Sequence, residues 1–103
     1  MAHMEFQRAH QLQQESLEYE LLAVWSSVLA AKTKLEEARG DLKRIASTLL
    51  KTDPNCAFGY YVLGEVALSE RNEAVAKRAL THAVKLDASL VDAKRRLHML
   101  TRR

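Results

Sequence analysis

Proline, glycine and cysteine are almost missing from this 103-residue chain, which has one Pro, three Gly and one Cys. So little turn-forming material cannot punctuate a sandwich of short strands, and an all-β fold is excluded. The lone Cys56 has no internal partner, so a reducing, cytoplasmic setting is expected and the residue reads as a small apolar side chain at a helix start. No apolar run approaches the roughly 18 to 20 residues of a membrane span, so no membrane partner is expected. The N-terminus lacks the basic, apolar, small-residue succession of a signal peptide, and Met1-Ala2-His3-Met4 resembles a cloning remnant.

Catalytic constellations are absent too. No G-x-x-x-x-G-K-[ST] loop or G-x-G-x-x-G turn cradles a phosphate. Among His3, His10, His82 and His98, no pair stands one helical turn apart with a third ligand near it, so neither metal nor cofactor is expected. Cys56 has no histidine near it in sequence. The chain reads as non-catalytic, with no small-molecule substrate.

What is present is helix. Hydrophobic residues make up 48% and charged residues 28% of a length that suits one domain, and nearly everything from residue 17 to 100 has helical periodicity. The formal charge of +3 gathers late: Lys94, Arg95, Arg96, Arg102 and Arg103 lie within the last ten residues with no acid after Asp92. A phosphate-binding patch is one reading. Cations meeting the carbonyls of a helix C-terminus is the reading preferred, and nucleic acid is not the expected partner.

The interruptions organise the chain. Asp53-Pro54-Asn55 ends one helix near Lys51 and starts another near Asn55 or Cys56. Arg71-Asn72 separates Tyr60 to Ser69 from Ala74 to Leu86, with Asn72 as a left-handed or N-cap residue. Asp87-Ala88-Ser89 repeats the first interruption 34 residues later, with Ser89 as the candidate cap of Leu90 to Leu100. Arg39-Gly40-Asp41 pairs a helix-ending glycine with a helix-starting aspartate.

The 34-residue spacing invites a repeat test. Tyr60, Leu63, Gly64, Ala67, Ala76, Leu80, Ala83 and Ala88 reproduce the order and spacing of W-x2-L-G-x2-Y, A-x3-F, a small residue and a terminal Pro. Four of the eight are substitutions: Tyr60 for Trp, Ala67 for Tyr, Leu80 for Phe and Ala88 for Pro. Residues 57–90 thus resemble one tetratricopeptide repeat. In physical terms, Gly64, Ala67, Ala76, Ala79 and Ala83 form a close-approach set between two antiparallel helices, and Leu63, Val66, Leu80 and Val84 fill the gaps. A weaker copy lies upstream. Leu42, Ile45, Ala46, Leu49 and Leu50 match its second helix, and Leu22, Trp25, Ser26 and Leu29 match its first if about four residues are inserted within Lys34 to Gly40.

The expected architecture is all-α: about five helices in antiparallel helix-turn-helix repeats, stacked as a short right-handed α-solenoid. Residues 1–4 are set aside, 5–18 form a flanking or capping helix, 19–54 the divergent repeat, 55–90 the clear repeat and 91–103 a capping helix. Val91, Leu97 and Leu100 are expected to cover Leu80 and Val84, with Lys94, Arg95 and Arg96 outermost. With two pairs and a half, the chain reads as a domain excised from a longer protein. A rival reading takes Leu17, Leu21, Val24, Val28, Ala31, Leu35, Ala38, Leu42, Ile45 and Leu49 as the seam of a homodimeric coiled coil, with Gly40 the objection.

The resemblance implies a function. First helices of stacked pairs line a concave face that holds extended or helical peptides. The expected stripe is Phe58, Tyr61, Glu65, Leu68 and Ser69, flanked by Glu20, Ala23, Ser27 and Ala30 on one side and by Asp92, Arg95 and Met99 on the other. The alternative is that Phe58 and Tyr61 pack against the neighbouring first helix. The family's carboxylate clamp for chaperone tails falls here on Ala23, Ser27, Val62, Asp92 and Arg96, of which only Arg96 agrees, so that ligand is disfavoured. A protein or peptide partner is the expectation.

Overall fold

The computed structural model describes the backbone of residues 2–101 and the side chains of residues 15–101. Five helices and no strand form there: α1 (Ala2–Leu29), α2 (Leu35–Thr52), α3 (Ala57–Ser69), α4 (Glu73–Leu86) and α5 (Val91–Thr101). The chain is all-α. Residues 5–16 continue α1 rather than forming a separate helix; the side chains of Phe6, Ala9 and Leu12, and all of Arg102 and Arg103, lie outside the described residues. No described helix is long and apolar enough to cross a membrane.

Each helix packs on its neighbour in the chain, α3 on α4 most extensively. Lys43 pairs with Glu70 and Leu50 lies against Gly59, so α2 and α3 are antiparallel. Gly64 against Leu80 and Tyr60 against His82 make α3 and α4 antiparallel as well. Trp25 meets Tyr61, and Glu65 meets Arg96, so α1, α3 and α5 stand side by side.

The turns come in two matched pairs. The Asp53 carboxylate accepts the Asn55 N–H while Cys56 N–H donates to the Asp53 carbonyl; 34 residues on, Asp87 does the same with Ser89 and Leu90. Ser89 is therefore not the cap of α5, since its hydroxyl donates back to the Asp87 carboxylate. These bonds hold the Asp87 carboxyl below its usual value. The other pair centres on left-handed Ala31 (φ 59) and Arg71 (φ 61). Ala31 N–H donates to Val28 and Lys32 N–H to Ser27, as Arg71 does to Leu68 and Asn72 to Ala67, the crossed pattern of a helix C-terminus. Asn72 then caps α4, its side chain accepting from Val75 N–H.

Two expectations about the first hairpin are corrected. Gly40 does not end a helix: α2 runs through it, and no atom outside its own turn lies within 4 Å of where its Cβ would stand. The insertion is larger than four residues. At 18 residues α2 exceeds the 14-residue α4, and its entry turn, Ala30 to Lys34, is longer than Glu70 to Asn72.

The register of α1 is also corrected. Leu21 and Trp25 are buried, with Leu17, Val24 and Val28 packed beside them, whereas Leu22 and Leu29 are 52% and 69% exposed. The rival seam is real but faces inward: α1 is folded onto α2, whose Ala38, Leu42, Ile45 and Leu49 are buried. A dimer through that seam would have to open the hairpin. At the other end Ala93 and Leu100 are buried, with Leu97 packed beside them, while Val91 is 54% exposed rather than covering α4.

Candidate functional site

The face formed by α1, α3 and α5 is built around α3, which is apolar on almost every side because four helices surround it. Gly59, Tyr61, Val62, Gly64, Glu65, Val66 and Ala67 are all buried. Tyr61 was expected as an exposed groove residue and is not one. Trp25 of α1 packs edge-on against its ring with centroids 5.8 Å apart, and Phe58 lies at 6.3 Å. Burial, with Glu65 and Asp92 adding negative charge, pushes the Tyr61 hydroxyl up to about 12, so it remains a protonated donor at neutral pH.

Glu65 was likewise expected in the open groove. It is buried, and its Oε1 accepts from Arg96 Nε at 2.8 Å. A carboxylate at this depth requires a partner, and removing the guanidinium would strand it. Bonding to Glu65 also raises the Arg96 pKa further. Arg96 is thus a half-exposed tie between α3 and α5 rather than a free cation of an outer cap.

Beside this tie lies a depression of about 320 Å³ lined by Leu29, Tyr61, Asp92, Arg95, Arg96 and Met99. Leu29 and Met99 are 69% and 60% exposed, on helices that flank α3. Glu18, Leu22, Trp25 and Leu29 recur at helical spacing, and Glu18 and Trp25 both reach α3 or the turn before it, so Leu22 belongs to the same side of α1.

Of the expected site residues, then, Tyr61, Asp92 and Arg95 line the depression, Glu65 supports it through Arg96, and Phe58 backs Tyr61. Leu68 is half-buried against the core. Ser69 is committed elsewhere: its hydroxyl donates to the Val66 carbonyl and its own carbonyl accepts from Arg39. Ala23 and Ser27 lie on the far side of α1 from Trp25, where the Ser27 hydroxyl donates to the Ala23 carbonyl. They flank nothing in the groove, because the register that put them there anchored Trp25 on α2 rather than on α3. The residues missed were Leu22 and Leu29, which that register had spent on the core. The signal was in the sequence: the seam through Leu21 and Val28 and a core stripe through Leu22 and Leu29 cannot both face α2.

About three turns before Leu29 on α1, at the turn that precedes α3, the ligand atoms of Glu18, Asp53 and Cys56 lie within 4.8 Å of one another. Burial first, and then the two carboxylates, raise the Cys56 thiol, so it stays protonated and weakly nucleophilic near neutrality. No protein-family model matches the sequence, and no curated protein was found to be similar to it.

Proposed function

We propose that the chain is a non-catalytic protein–protein interaction module, a tetratricopeptide-like stack of helix pairs with the form of a short right-handed α-solenoid, that holds a peptide or helical segment of a partner on the face of α1, α3 and α5. One observation carries this reading: Leu29 and Met99 stand exposed on the two helices flanking α3, over a floor fixed by Tyr61 and by the Glu65 to Arg96 tie. Exposed apolar side chains around a depression with a fixed polar group are the anatomy of a contact surface. The side chains that commit to the fold, Trp25, Tyr61 and Glu65, give the face its shape, and those that do not, Leu22, Leu29, Asp92, Arg95 and Met99, are free to touch a partner. A reducing cytoplasmic setting suits the single thiol.

The test uses the outward residues. Pull-downs with wild type, Leu29→Glu and Met99→Glu, each confirmed to keep its helicity, are expected to lose the same prey in both variants. Prey retained by both removes this face from consideration.

A further inference from the structure

The even-numbered helices share a charge bias that the whole-chain balance hides. After Asp41, α2 carries Lys43, Arg44 and Lys51 and no acid; after Glu73, α4 carries Lys77, Arg78 and Lys85, with His82 between them and again no acid. All six Lys and Arg are exposed. Lys43 is held by Glu70 at 2.7 Å, and Arg44 reaches Glu20 and Asp41 only at 3.8 Å. Among the described residues no ion pair engages Lys51, Lys77, Arg78 or Lys85.

Between α2 and α4, on the other side of α3 from Trp25, runs a cleft of about 480 Å³. Tyr60, Leu63, Ala67, Val75 and Ala79 supply its apolar lining, and Val75 is 39% exposed. Arg78 and His82 line it as well and also bound the adjoining depression, where Lys77 and Lys85 stand. An apolar trough edged by exposed cations is complementary to a ligand that is apolar on one side and acidic on the other.

We propose that this cleft is a second docking surface, for an acidic amphipathic helix of a partner protein. Its apolar side chains enter between α2 and α4 against Leu63, Val75 and Ala79, and its carboxylates meet Lys77, Arg78 and Lys85. Aliphatic lining favours such a helix over a nucleic acid, because the two rings in the cleft, Tyr60 and His82, are packed on each other with centroids 4.1 Å apart. Little bare aromatic face is left for a base to stack on. Glu70, beside Lys43, also sets a negative charge where a continuous phosphate track would run.

The probe is a fluorescein-labelled synthetic helix with leucines at i, i+3, i+4 and i+7 and glutamates elsewhere, titrated with the full chain by fluorescence anisotropy. Saturable binding at low ionic strength is expected, weakened about tenfold or more by Lys77→Glu with Arg78→Glu and also by physiological salt. Val75→Asp is expected to weaken it similarly, while Leu29→Glu leaves it unchanged. Circular dichroism on each variant keeps the comparison to folded protein. The proposal is overturned if no saturable binding occurs at low salt, if the Lys77 and Arg78 variants bind as wild type does, or if a probe with serine in place of leucine binds equally well. Tighter binding of a single-stranded oligonucleotide of the same charge, lost in the same variants, would assign the surface to nucleic acid instead.

Discussion

The two hairpins reach the same topology by opposite means. In α3 and α4 the helices approach through a missing side chain: a Cβ on Gly64 would stand 2.8 Å from Leu80 Cγ, and Leu80, Ala76 and Ala83 are fully buried around it. In α1 and α2 no glycine serves. Trp25, the largest side chain in the chain, is buried there and turned toward Tyr61, and Leu21, Leu42 and Ile45 fill the hairpin. One pair gains contact by removing volume, the other by adding it. The first pair also has the longer second helix, 18 residues in α2 against 14 in α4. The consequence is a division of labour in which the glycine hairpin fixes helix spacing and the tryptophan hairpin joins the first pair to the second.

The sharpest way to break this contrast is at Trp25. Trp25→Ala removes the ring that fills the junction between the hairpins and should cost about 3–5 kcal/mol, read by denaturant unfolding. Gly64→Ala should cost less, about 1–3 kcal/mol, because Leu80 is buried and has little room to withdraw. A Gly64→Ala protein as stable as wild type would show that the hairpin does not depend on close approach. Third in size is an alkaline effect at Tyr61, the residue Trp25 packs against. Its hydroxyl pKa of about 12 lies above the ordinary value of 10.0, so the folded state keeps a proton that the unfolded state loses. Stability from this source is complete below pH 10 and is lost as pH rises toward 12. Tyr61→Phe should flatten that decline and remove the late tyrosinate absorbance step. Smallest, and opposite in sign, is Gly40→Ala, which should stabilise by about 0.8–1 kcal/mol, since the site is helical and its Cβ meets nothing within 4 Å. Equal responses at Gly40 and Gly64 would erase the distinction between a glycine that packs and one that does not.

Much of the fold was legible because it is punctuated by local chemistry. The turns at Asp53 and Asp87, Arg71 with Asn72, and the small residue at Gly64 all announce themselves through residues whose backbone preferences are narrow. Gly40 misled for the same reason: glycine signals freedom, not its use, and here the chain makes no use of it. The turn at Ala31 went unread because alanine carries no left-handed preference, even though its hydrogen bonds repeat those of Arg71. The candidate site was half legible. Helical spacing put Tyr61, Asp92 and Arg95 on one side, but whether a ring is covered depends on the neighbouring helix, and the rotation of α1 rested on one tryptophan. The Glu65 to Arg96 tie spans 31 residues and has no local signature.

The like-shaped turns at Asp53 and Asp87 make residues 57–90 a cassette. The backbone enters and leaves this block through the same geometry, so a tandem second copy spliced after Leu90 would meet a suitable turn, provided that its Val62 were made arginine to hold the Glu65 that Arg96 now holds. Such an elongated protein would widen the shelf beside Tyr61 by one more rod, leaving both original ends as they are.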